Sequence, residues 1–302
     1  MKRCDCNPMN DYLFKFIFGR EERKRITLSF LNAVLNLEGE DELCDISFVD
    51  RELDPLFEDD KLSRLDLFGI ANDGSRINIE VQLVNLQNME KRTLYYWAKM
   101  YQSIHRGDDY KELNRAITIN LLNFSLLPQK QAHTMYGLYD LPSGHRLTED
   151  IEIHFLEIPN FEVKSVREMK RLERWLAYFS NKLNETETEE LAMSEAAIQE
   201  AMKAEHVFMQ DEIERWQYEQ REKAMRDYIS GMRAWRREGL KQGIEQGIKQ
   251  GIKQGIEQGV MQASLQNIKN LMENMNLSAS QAMEVLQIPA SEREKYTNLL
   301  HS

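Results

Sequence analysis

Between residues 64 and 84 the sequence brings two carboxylates within reach of one another. Asp66 sits in Arg64–Ala71, while Glu80 and Gln82 sit in Arg76–Val84, and both stretches are rich in Ile, Leu and Val. Strand residues two apart share a face, so Glu80 and Gln82 point one way while Ile79, Val81 and Leu83 point into the core. A polar Glu-x-Gln in an apolar strand is costly to bury unless it finds partners. The intervening Asn72-Asp73-Gly74-Ser75 is a hairpin signal. If Asn72 pairs with Ser75, Asp66 falls opposite Val81, next to Glu80; a bulge in the turn would shift that register. Two carboxylates this close repel, and one must keep its proton. A divalent cation removes that cost. Oxygen ligands with open water positions suit Mg²⁺ or Mn²⁺, ions that activate water and stabilise charge on a phosphoryl oxygen. Taken alone, the same two residues equally describe the solvent face of an edge hairpin.

Other chemistry-bearing residues are sparse. The six histidines show no ligand spacing, and there is no Gly-rich phosphate loop. Cys4, Cys6 and Cys44 form no disulfide framework, which fits a reducing cytoplasm. Residues 1–12 lack the apolar core of a secretory signal, and no run approaches a membrane span, so the expected location is the cytoplasm with no membrane partner. A formal net charge of -11 argues against a nucleic-acid partner. That charge is uneven, however. Much of the acid lies in 38–60 and 185–200, whereas Arg221–Lys241 is net basic.

Around the carboxylates the periodicity describes an α/β core. Leu13, Phe14, Ile17, Phe18, Leu28, Leu31, Val34 and Leu35 have helical spacing within 10–37, with Asn10 or Asp11 as N-cap. Strands are expected at 46–53, 64–71, 76–84, 116–124 and 151–158, with a helix over 88–106. A further helix over 161–183 packs back on the core, and 184–190 reads as an acidic linker. From about 191 the composition is helical; if continuous to about 275, that helix would span roughly 120 Å at 1.5 Å per residue. The expected division is 1–183, 184–275 and 276–302, the last a pair of short helices broken at Ile288-Pro289.

The combination resembles the PD-(D/E)XK nuclease superfamily, and within it the Rpn recombination-promoting nucleases, also described as transposases. The resemblance rests on Asp11-Tyr-Leu-Phe-Lys15-Phe-Ile-Phe18, Arg64-Leu-Asp66, Glu80-x-Gln82, Arg92-x-x-Tyr95-Tyr96, Gly107-x-x-Tyr110 and the Gly-Ile-x-Gln repeat. It implies a restriction-endonuclease-like mixed sheet flanked by helices, acting on double-stranded DNA as a metal-dependent endonuclease linked to recombination, mobile elements or phage defence. It also implies Asp66 and Glu80 as metal ligands, completed by the Val81 carbonyl, with Gln82 where the superfamily usually has lysine. Glutamine carries no charge and is no base, so Gln82 could only orient water or phosphate. Lys15 or Arg92 would then supply the missing positive charge. A weak or inactive fold that binds DNA or protein is the alternative.

The arm carries a four-residue repeat from Gly239 to Val260, with Gly243, Gly247, Gly251 and Gly255 each followed by Ile244, Ile248, Ile252 and Ile256. A glycine in a helix costs about 1 kcal/mol relative to alanine, so a partner must compensate. Four residues advance the stripe about 40° per repeat, which calls for right-handed winding. The expectation is a helical self-association surface and hence a homo-oligomer.

Overall fold

The computed structural model describes residues 4–49, 66–102 and 109–300. The expected strand residues Arg64 and Leu65, the end of the 46–53 stretch, and Gly107 lie outside them. The chain divides into two compact units, Met1–Asp227 and Tyr228–Ser302.

The first unit is built on a mixed six-stranded sheet in the order β1-β2-β3-β4-β6-β5. The strands are β1 (Ile46–Phe48), β2 (Leu67–Ala71), β3 (Arg76–Gln82), β4 (Ala116–Leu122), β5 (His133–Tyr139) and β6 (Arg146–Glu157). β1, β2 and β3 form an antiparallel meander; β3, β4 and β6 run parallel; β5 closes the far edge antiparallel to β6. The parallel step from β3 to β4 requires a crossover, which α3 (Met89–Tyr101) provides.

The two sheet faces differ in chemistry. Ile77, Ile79 and Val81 of β3 join Ile117, Ile119 and Leu121 of β4 in the main core. Against them pack α1 (Asp11–Phe18), α2 (Lys24–Leu35), α4 (Arg171–Ser180) and α6 (Ala196–Gln210) through Phe14, Phe18, Phe30, Trp175, Phe179 and Phe208. Asn10 caps α1 by accepting from the backbone N–H groups of Tyr12 and Leu13. The opposite face, beneath α3, carries buried Asn78, Glu80, Thr118 and Asn120.

Three expectations are corrected. The 161–183 helix is only α4, because Asn181 adopts a left-handed φ of 55° and ends it. The linker expected at 184–190 is the start of α5 (Glu185–Ser194), with Asn184 and Glu187 in a capping box. The helical stretch from 191 is not continuous: it stops at Asp211, whose side chain accepts from the Ile213 and Glu214 N–H groups and caps a new helix. The arm therefore begins with α7 (Glu212–Met275) rather than at 184, since Leu191, Ile198, Ala201 and Phe208 of α5 and α6 lie in the core. β5 was missed, and β6 starts at Arg146 rather than Ile151.

In the second unit α7 continues, followed by α8 (Ala279–Val285) and α9 (Ala290–Leu300). Ile268 of α7, Ala282 and Met283 of α8, Ile288 in the turn that follows, and Tyr296 of α9 form a small core. Ser278 and Gln281 make a capping box at α8. Through 239–260 α7 remains helical. Ile244, Ile248, Ile252 and Ile256 are more than half exposed. Among the described residues, no heavy atom outside the flanking residues and the local helix backbone lies within 4 Å of where a Cβ would sit on Gly243, Gly247, Gly251 or Gly255.

Candidate active site

The β2–β3 hairpin turns through Asn72, Asp73 and Gly74. Gly74 donates to the Ala71 carbonyl, Ala71 donates to the Ser75 carbonyl, and Gly74 takes a φ of 84°. This is a three-residue loop with a glycine bulge, and Asp73 ties it by accepting from the Ser75 N–H at 2.9 Å. Ala71 consequently faces Ser75, and Leu67 pairs with Ile79. The register differs by one from the simple pairing of Asn72 with Ser75. A one-residue slip reverses the faces of a strand. Extending the observed register by one residue sets Asp66 across from Glu80, on the polar face, instead of opposite Val81.

Asp66 is held by the start of that pairing. Its Oδ2 accepts from the Val81 backbone N–H at 2.8 Å. The N–H and C=O of an extended residue point to the same strand edge, so the Val81 carbonyl also points to the β2 side, beyond Leu67. Burial raises the Asp66 carboxyl to about 6; the Val81 N–H, Lys15 and Arg92 oppose that rise and Asp11 adds to it. Lys15 on α1 is thus near enough for its charge to act on Asp66.

Glu80 is fully buried. Arg92 on α3 donates from Nη2 to its Oε2 at 2.7 Å. The Arg92 guanidinium also lies 5.3 Å from the ring centroid of Tyr96, one turn further along the helix. Burial, then the charge of Glu80, raises the Tyr96 hydroxyl pKa. Below them Asn120, paired with Glu80 across the parallel strands, donates to Thr93 Oγ1 at 2.9 Å and to the His154 carbonyl at 3.0 Å. Gln82 closes β3 half-buried, and its carbonyl accepts from Asn123.

The structure thus gathers Asp66, Glu80, Val81, Lys15 and Arg92 at one end of the sheet. Tyr96 belongs to the Arg92-x-x-Tyr95-Tyr96 segment on which the resemblance rests, and it stands beside Arg92. Asp11 was not expected there, since the sequence showed it as a candidate helix cap. Asp11 is engaged by Arg221 of α7 at 2.8 Å.

Among the described residues no three His, Cys, Asp or Glu side chains gather as a metal cluster. The ligand set that the resemblance implies, two carboxylates and a main-chain carbonyl, is of the hard-oxygen type that leaves positions for water on a cation. Desolvated Asp66, held near the ionisation range of a histidine, is the kind of carboxylate a cation would stabilise.

Two histidines do come together elsewhere. His133 Nε2 lies 2.9 Å from His154 Nδ1, and His154 Nε2 lies 3.3 Å from Glu152 Oε2. Arg115 and Arg146 also hold Glu152, at 2.5 and 2.7 Å. With both His154 nitrogens engaged, this is an edge network rather than a ligand set.

Comparison with known proteins gives one match. The family of PD-(D/E)XK nuclease family transposases matches residues 8–234. No curated protein and no solved structure matches the chain. No helix among the described residues is long and apolar enough to cross a membrane. With the mixed sheet, its flanking helices and a match over well more than half of its length, the chain belongs to the PD-(D/E)XK nuclease family transposases.

Proposed function

We propose that this chain is a divalent-metal-dependent endonuclease of double-stranded DNA that promotes recombination, in the setting of mobile elements or phage defence. The observation that carries the reading is the Val81 N–H held by Asp66 at 2.8 Å beside buried Glu80; the Leu67–Ile79 register, continued by one residue, would set the two carboxylates across from one another. Asp66, Glu80 and the Val81 carbonyl would hold Mg²⁺ or Mn²⁺. When bound, the ion supplies positive charge against the phosphoryl oxygens and makes water more acidic.

The protein's own groups do the rest. Gln82, at the exit of β3, orients water or a phosphate oxygen by hydrogen bonding, since an amide cannot take a proton at neutral pH. Lys15 carries a fixed charge beside Asp66, the service the superfamily's usual lysine would give. Arg92 balances buried Glu80 until a cation does, and from the same place it can meet a phosphate oxygen. The thirteen-residue α3 covers the site on one side, with Tyr96 steadying the guanidinium.

A second reading, a nuclease fold that holds DNA without cutting it, is favoured by one observation: Glu80 already has a cationic partner in Arg92. Supercoiled plasmid separates the two. The first reading expects nicked or linear product with Mg²⁺, none with chelator, and far less from Glu80→Gln. Retention of DNA by wild-type protein with no product in Mg²⁺ or Mn²⁺ would establish the second.

Self-association through Gly243, Gly247, Gly251 and Gly255 with Ile244, Ile248, Ile252 and Ile256 belongs to the same proposal. It is supported by an isoleucine stripe more than half exposed along an intact helix.

A further inference from the structure

The second unit opens with a cationic helix face that the catalytic site does not use. Arg233, Arg236, Arg237 and Lys241 lie within nine residues of α7, against one acid, Glu238. At 100° per residue Arg233, Arg237 and Lys241 advance by about 40° each, and Arg236 flanks them by about 60° on the other side. All four therefore share about 140° of the helix circumference, along about 12 Å of axis. All four are exposed, and among the described residues none is paired with an acid. Glu238 accepts instead from Gln242 at 3.0 Å. Lys241 also has Glu245 one turn on, but that carboxylate pairs with Lys249 at 3.2 Å; nearer the start of the helix Arg215 pairs with Glu219 at 3.9 Å.

A helix surface that serves only solubility intersperses signs, and in a chain of net charge -11 an uncompensated basic face is against the grain. Guanidinium groups at one-turn intervals fit phosphate oxygens, which they bind in a planar, two-pronged way. Along a duplex, 12 Å covers about three to four steps of about 3.4 Å. We propose that this face, Arg233, Arg236, Arg237 and Lys241, holds the phosphate backbone of duplex DNA outside the catalytic site. It contributes affinity without reading sequence, as phosphate contacts do. The inference rests on the reading of the chain as a DNA-acting protein, and it assigns a backbone contact to residues mostly beyond the family match, which ends at 234.

The test is fluorescence anisotropy of full-length protein with a labelled 30-base-pair duplex in chelator, so that cleavage plays no part, over a series of salt concentrations. The variant carries Arg233→Ala, Arg236→Ala, Arg237→Ala and Lys241→Ala together. Alanine is the strongest helix former, so the helix is retained, and far-ultraviolet circular dichroism checks this. Four lost phosphate contacts should lower the slope of log affinity against log salt by about 3 to 4. A second variant with lysine at the three arginine positions should restore most of the slope. An unchanged slope overturns the proposal, as does a wild-type protein that does not bind DNA. So does a face that binds phosphatidylserine vesicles, or the acidic 185–200 stretch of a second copy, while the DNA slope stays put. Plasmid cleavage measured alongside keeps the two readings apart. Cleavage with an unchanged slope rejects only this face, and a lowered slope without cleavage by wild type rejects only the endonuclease.

Discussion

Arg92 donates from Nη2 to Oε2 of Glu80 across 2.7 Å, and the carboxylate it serves is fully buried whereas the guanidinium is partly in solvent. The pair is therefore asymmetric. Removing Arg92 leaves a buried charge, while removing the Glu80 charge leaves a cation that can turn to water. Arg92→Ala should destabilise the protein by about 3 to 5 kcal/mol, and Glu80→Gln by less. Mg²⁺ should recover more stability in Arg92→Ala than in wild type, because the ion replaces the lost charge. Urea unfolding with and without Mg²⁺ measures both; equal losses for the two variants would refute the asymmetry.

Asp66→Asn and Glu80→Gln should each lower plasmid cleavage by about a thousandfold, the equivalent of several kcal/mol of barrier. Gln82→Ala should lower it by about tenfold, since it removes orientation and leaves the ion's ligands in place. Glutamine is the better replacement at Glu80, because its buried position punishes a cavity. Wild-type rates from either carboxylate variant would dismiss this site.

The His133–His154–Glu152 network makes a pH prediction. Burial, assisted by His154, depresses His133 to about 4. Burial alone would raise Glu152, but hydrogen bonds from His154 and Arg146 and the charge of Arg115 outweigh it and hold the carboxyl at about 2. Both groups have folded pKa values below their unfolded ones, so both contributions are present at high pH and lost on acidification. The His133 contribution should fade as pH falls from 6.5 towards 4, and that of Glu152 from 4.5 towards 2. Compared with His133→Gln, wild type should lose about 2 kcal/mol of stability between pH 7.5 and 4.5, allowing for partial exposure. A difference that stays constant across that range would show that His133 does not titrate as stated.

Gly247→Leu with Gly251→Leu should raise intrinsic helix propensity by about 1 kcal/mol per site and yet reduce oligomeric mass in light scattering. Leucine side chains would hold apart backbones that glycine lets approach. A mass unaltered by the pair, or a wild type that is monomeric at micromolar concentration, counts against the stripe as an interface.

Sequence alone was sufficient for the alternation of β3, which sets Glu80 and Gln82 against Ile79 and Val81, because a strand's two-residue period is local. It was sufficient also for the cap at Asn10 and the turn at Asn72-Asp73-Gly74, since each depends on atoms a few residues apart. Register was beyond it. Whether Asp66 meets Glu80 or Val81 depended on Gly74 taking a positive φ, one bulged residue that decides the face of the whole strand. Strand β5 escaped notice because an edge strand carries no required alternation, and its Met135, Tyr136, Leu138 and Tyr139 are all exposed. The fate of residues 184–210 was decided by packing: composition favours helix throughout, but only the core could show that α5 and α6 bury Leu191, Ile198 and Phe208 against the sheet's helices. Nor does spacing along the chain bring Arg92 to Glu80, Lys15 to Asp66, or Arg221 to Asp11. Those pairings join residues on different elements, and only the folded chain sets the distance across which their charges act.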